Sequence, residues 1–192
     1  MSAVRCFVGL RLPPAVLMSL EQCQRGIRTS NQQWADQKWV RPENLHVTIA
    51  FLGDVAHETV PALSETIRHA VVSSDSLEFA FETLQAAPRS RRASMIWAHV
   101  AEEGSITALE ATITAGLAPF GFEPDKRPYV PHVTLVRARK PVQSPLNLDE
   151  VFDASGLRLL RVSDPEVTFF TSQLTPRGPQ YSKIGSWKVK RA

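Results

Sequence analysis

Two short stretches of the chain hold the residues best suited to chemistry. RPENLHVTI, beginning at Arg41, sets His46 two residues before Thr48, and RPYVPHVTL, beginning at Arg127, sets His132 two residues before Thr134. In a strand, residues i and i+2 share a face. Each stretch therefore places an imidazole beside a hydroxyl and turns Val47 or Val133 toward apolar packing. A histidine pKa of about 6.5 allows one ring to be neutral and the other protonated near neutral pH. In-line hydrolysis of a phosphodiester uses such a pair, a base that activates water and an acid that protonates the departing oxygen, each role worth roughly 10²–10⁴ in rate. The threonine hydroxyls are neutral donors for the non-bridging phosphate oxygens.

A lone histidine in an apolar strand is more often structural than catalytic, and His57, His69 and His99 are read that way. The pair differs because Arg, Pro, His, Val and Thr recur in one register, with an aliphatic residue after each threonine and the histidines 86 residues apart. That doubling predicts two related lobes, each offering one His-x-Thr strand to a shared cleft. Neither motif has an adjacent carboxylate or a third histidine at ligand spacing, which disfavours a metal site.

Strict alternation places Arg137 on the face opposite His132 and Thr134, so a role at the phosphate requires a bulge or the strand's end. Its counterpart in the first copy is Phe51, which alternation groups with Leu45, Val47 and Ile49. Arg89, Arg91 and Arg92, and Arg137, Arg139 and Lys140, form two basic clusters that could meet an RNA backbone. Tyr129 and Trp34 are candidates for stacking on a terminal base, with burial the stronger expectation for Trp34.

The rest of the chain supplies the frame. Residues 4–10 read as a buried strand. Val16, Leu20, Cys23 and Ile27 mark one face of a first helix, Val60, Leu63, Ile67 and Val71 a second, and Ile106, Leu109, Ile113 and Leu117 a third. LHVTIAFLG reads as a strand ended by Gly53 and Asp54. Strands are also expected near 77–85, 94–100, 132–137, 166–174 and 181–190, with a polar loop near 138–150. The hairpin-like pairs favour an antiparallel α+β fold over a doubly wound parallel sheet.

With 192 residues, 43% hydrophobic and 21% charged, the chain has the composition of a globular protein of one domain or two small lobes. The net charge of +3 permits an anionic substrate without arguing for one. No apolar run nears the ~20 residues of a membrane helix, and the opening MSAVRCFVGLRLPP reads as a strand rather than a signal peptide. Cys6 and Cys23 are read as thiols in a reducing cytoplasm. A monomer is the default.

The chain resembles the 2H phosphoesterase superfamily, and within it the RNA 2′,3′-cyclic phosphodiesterases once called 2′-5′ RNA ligases. The likeness lies in CFVGLRLPP, KWVRPENLHVTIAFLG, PYVPHVTLVRAR and the closing SQLTPRGPQYSKIGSWKV, and it spans nearly the whole chain. The resemblance implies a bilobal fold with pseudo-twofold symmetry, two antiparallel sheets facing a central cleft and helices outside. It implies hydrolysis of the 2′,3′-cyclic phosphate at an RNA end to a 2′-phosphate, without a cofactor. By position, His46 would be the proton donor and His132 the proton acceptor. Thr48 and Thr134 would hold the phosphate, and Arg137 matches the family's arginine after the second motif. A related activity on another cyclic or 2′-5′ linked nucleotide, including 2′-5′ ligation, would use the same cleft. A non-catalytic nucleotide-binding module is the alternative of a different class.

Overall fold

The apolar stripes of the sequence become the buried faces of the elements that carry the two motifs. The structure is a computed structural model describing residues 3–101, 104–123, 127–176 and 178–189. In chain order it runs β1 (Ala3–Arg11), α1 (Pro14–Ser30), α2 (Gln32–Ala35), β2 (Lys38–Trp39), β3 (His46–Ala56), α3 (Val60–Val72), β4 (Glu78–Ala87) and β5 (Ala93–Ala101). It continues with α4 (Ser105–Leu117), β6 (His132–Val142), α5 (Leu148–Ala154), β7 (Arg161–Ser163), β8 (Val167–Thr175) and β9 (Gly178–Trp187). Val16, Leu20, Cys23 and Ile27 of α1 are buried, as are Leu63, Ile67 and Val71 of α3 and all four stripe residues of α4.

Among the described residues, nine strands form one antiparallel sheet in the order β7-β4-β5-β6-β3-β1-β8-β9, with β2 paired to β6. The sheet has two halves, and the seam between them is the pairing of β3 with β6 at Val47↔Val133. The central valines of the two repeats thus lie opposite one another, and a pseudo-twofold axis passes between them. The helices interlock the halves. Helix α1 follows β1 yet packs on β6 and α5, while α4 follows β5 yet packs on α3 and β3. Cys6, Val8 and Leu10 of β1, Val47 and Ile49 of β3, and Val133, Leu135 and Val136 of β6 join the helix stripes in one core. Burying apolar surface at roughly 25 cal/mol per Å² makes this core the main support of the seam.

Two expectations are corrected here. Gly53 and Asp54 do not end β3. Gly53 adopts φ 68°, a conformation open to glycine, and the strand pairs on with β1 to Ala56. The polar loop expected near 138–150 is shorter, because β6 reaches Val142 and Leu148, Val151 and Phe152 bury one face of the short helix α5.

Candidate active site

The register Val47↔Val133 of an antiparallel pair sets His46 across from Thr134 and Thr48 across from His132. All four side chains project from the face of the sheet opposite the core, so the sequence-derived set is brought together at the seam.

Each imidazole is held in the same way. His46 Nδ1–H donates to the carbonyl of Asn44 at 2.7 Å, and His132 Nδ1–H donates to the carbonyl of Val130 at 2.7 Å. A carbonyl only accepts, so both rings carry their proton on Nδ1 when neutral and present Nε2 to the cleft. In both repeats the acceptor is the residue two places before the histidine. Thr48 Oγ1 lies 3.1 Å from His46 Nε2. Behind the first motif, the Asn44 side chain donates to the Pro179 carbonyl at 2.9 Å, and the Tyr129 hydroxyl donates to the Thr48 carbonyl at 2.7 Å. Tyr129 therefore braces the strand through its hydroxyl. Trp34 is fully buried, with its indole N–H on the Gln143 carbonyl at 2.9 Å.

The rings around the two histidines come from neighbouring strands. His46 lies against Phe7 (centroids 4.9 Å apart), with Tyr181 edge-on at 5.5 Å. A methyl group at Gly9 would come within 3.0 Å of His46 Cδ2 and 3.1 Å of the Val47 carbonyl oxygen, so glycine makes room for this ring. His132 stacks on Trp97 at 4.0 Å and 16°.

Arg137 reaches the site through a bulge. Ile96 pairs with Val136 but Trp97 pairs with Thr134, which leaves Leu135 unmatched. Leu135 and Val136 are consecutively buried, and Arg137 turns to the face of His132 and Thr134. The first motif does the same: Val8 pairs with Ala50 and Gly9 with Thr48, leaving Ile49 unmatched. Ile49 and Leu135 occupy the same place in the repeat. The bulge also overturns the grouping of Phe51 with Val47 and Ile49: Phe51 is 65% exposed, opposite Phe7 on the cleft face. The other basic groups lie apart. Arg89, Arg91 and Arg92 sit at the β4–β5 turn, and Arg139 donates to the Asp36 carbonyl at 3.3 Å.

Register also exposes what sequence reasoning missed. His99 pairs with His132 as Arg11 pairs with His46. Each flanking residue lies beside a glutamate on the outer side, His99 Nδ1 at 3.3 Å from Glu82 and Arg11 at 3.9 Å from Glu166. His99, read from sequence as an ordinary strand residue, therefore borders the site. Nothing local in its sequence signals this, since the neighbour is fixed by long-range pairing. His57 and His69 lie away from the cleft, on a turn and in α3.

Burial lowers the pKa of both cleft histidines, and neighbouring charge adds to it. For His46 the bond to Asn44 opposes the shift, while the charges of His132 and Arg137 reinforce it. For His132 the bond to Val130 opposes it, while Arg137 and His99 reinforce it. Arg137 also draws down the pKa of Tyr181, whose burial raises it. One guanidinium thus acts on three side chains from both halves. No group of three or more His, Cys, Asp or Glu side chains is placed to hold a metal among the described residues.

A groove of about 600 Å³ opens beside His46, between the segment Arg41–Leu45 and strand β9. Among the described residues, no helix is long and apolar enough to cross a membrane.

The model of the 2′-5′ RNA ligase superfamily matches residues 12–166. The RNA 2′,3′-cyclic phosphodiesterase of Methanothermobacter thermautotrophicus is 28% identical over 192 residues, 97% of this chain and 99% of that protein. That of Archaeoglobus fulgidus is 30% identical over 147 residues, 77% of this chain and 81% of that protein. Among solved structures, TT0787 of Thermus thermophilus superposes with a TM-score of 0.77 at 22% identity, covering 96% of this chain and 97% of that one. Escherichia coli LigT in apo form superposes with a TM-score of 0.72 at 22% identity over 100% of both chains. The likeness to these structures is one of fold, whereas the family match takes in both repeats, and the chain belongs to the 2′-5′ RNA ligase superfamily, whose members are 2H phosphoesterases.

Proposed function

We propose that the cleft opens the 2′,3′-cyclic phosphate at an RNA end to a 2′-phosphomonoester, by acid–base chemistry of its own side chains. The observation that carries this is the pair of imidazoles, each fixed through Nδ1 by a 2.7 Å bond and presenting Nε2 to one face. His132 takes a proton from water as its oxygen attacks phosphorus. The bond from phosphorus to O3′ breaks in line with the attack, and His46 Nε2–H delivers its proton to O3′. Thr48 and Thr134 donate to the non-bridging oxygens, and Arg137 offsets the charge that grows there. The names of the relatives support the substrate class, and E. coli LigT has been solved with 3′-AMP. Both histidines come from one chain, so the reaction needs no second copy. The buried thiols Cys6 and Cys23, each pushed up to about 11, suit a reducing cytoplasm.

Purified protein with EDTA, given a short RNA ending in 2′,3′-cyclic phosphate, is expected to yield a 2′-phosphate end. Loss of activity with chelator and its return with a divalent ion would overturn the metal-independent reading.

The lowered histidines fix the direction of the pH dependence. A depressed pKa means that the protonated form is lost at a lower pH, and the working state needs one ring charged and one neutral. The bell-shaped profile of kcat/KM, which reports the free enzyme, is therefore expected to peak below about pH 6.5. A bound phosphate anion favours imidazolium, so the kcat profile should lie at higher pH. A kcat/KM maximum above about pH 7.5 would contradict this.

A further inference from the structure

The groove beside His46 touches the acid–base set only at that histidine; Thr48, His132, Thr134 and Arg137 do not line it. It is therefore space beyond the reacting phosphate. Its volume of about 600 Å³ exceeds what a phosphate fills and falls in the range that seats drug-sized ligands. Its lining includes three cations, Arg11, Arg41 and Lys183, against one carboxylate, Glu43. Arg41 and Arg11 approach Glu43 and Glu166 only at 3.8 and 3.9 Å, with their side chains more than half exposed. Such pairs are screened and leave the guanidinium groups open to another anion.

Across the pseudo-twofold axis Arg41 is matched by Arg127, five residues before His132, whereas Arg11 is not matched in kind. The counterpart of Arg11 across the axis is His99, a weaker cation that lies against Glu82. The groove and its three cations therefore lie on the His46 side of the seam. The chemistry requires the same asymmetry. In an in-line opening, water enters on one side of phosphorus and the ribose carrying the leaving oxygen lies on the other. Water needs little room, whereas the ribose brings the chain with it.

We infer that the groove seats the RNA strand leading to the cyclic end, with Arg41 and Lys183 holding phosphodiesters of the adjoining nucleotides. This rests on the phosphodiesterase reading, and it adds that the protein is built for an RNA chain rather than a cyclic mononucleotide. The groove also sets the ribose on the His46 side, which makes His46 the donor to O3′.

The test uses the double variant Arg41→Ala/Lys183→Ala beside the wild type, with a thermal melt to show both folded. Binding is read first, by fluorescence anisotropy of a labelled six-nucleotide RNA ending in a 3′-phosphate, which the enzyme does not turn over. The variant is expected to bind about tenfold more weakly, with a log–log salt slope shallower by about 1.4, or 0.7 for each lost phosphate contact. Unchanged affinity and slope would overturn the inference. Turnover is read next on the same RNA with a cyclic end and on 2′,3′-cyclic AMP. The expected result is a raised KM for the RNA alone, and an equal change on both substrates would overturn the inference. If the wild type hydrolysed neither substrate while the variant still lost RNA binding, the phosphodiesterase reading would fail and the groove would stand.

Discussion

Replacing His46 or His132 by alanine is expected to lower kcat on a cyclic-phosphate RNA by roughly 10²–10⁴, or about 3–5 kcal/mol of transition-state stabilisation. The two losses should not add. With either partner gone, the remaining imidazole has no complementary proton transfer to perform, so the double variant should be little worse than the poorer single one. Both rings sit on the cleft face and are absent from the apolar core, so thermal melts of the variants should stay near the wild type. A variant that retained near-normal turnover while folded would remove that histidine from the mechanism.

The second large effect concerns Arg137. Its guanidinium contacts Met95 Sδ at 3.8 Å and makes no contribution to the core, so Arg137→Gln should fold normally. Its charge opposes protonation of both His46 and His132. Two changes should therefore appear together. The rate falls by roughly 10²–10³, the cost of losing a donor to the developing phosphate charge. The kcat/KM profile moves to higher pH, because both histidines regain proton affinity when the cation is gone. A drop in rate with an unmoved profile would mean that Arg137 binds substrate from outside electrostatic reach of the pair.

The histidine pair was legible because its evidence is local: a doubled Arg-Pro-x-x-x-His-Val-Thr register that fixes the face of each side chain. The helices were legible from their stripes for the same reason. The place of Arg137 was half legible. Alternation buried an arginine beside Val133 and Leu135, and that conflict is itself the sign of a bulge, here resolved by Leu135 and Val136 both turning inward. The matching bulge at Ile49 was hidden, because Phe51 on the apolar face raised no such conflict. Trp97, His99 and Gly9 escaped sequence reasoning for a different cause. Their roles depend on which strands become neighbours and in what register, and no short window of sequence carries that information. Helix α5 was missed because its seven residues are too few to show a period, although three of them are buried.

The measurement that bears most directly on the two-histidine account is the pH dependence of kcat/KM for the His46→Ala and His132→Ala variants beside the wild type, on one cyclic-phosphate RNA with EDTA present. With His46 as donor and His132 as acceptor, the wild type gives a bell. The residual activity of His132→Ala should lose the acidic limb, because no base remains to be protonated. That of His46→Ala should lose the alkaline limb, because no acid remains to be deprotonated. An intact bell in either folded variant would contradict the pairing of these two side chains as acid and base.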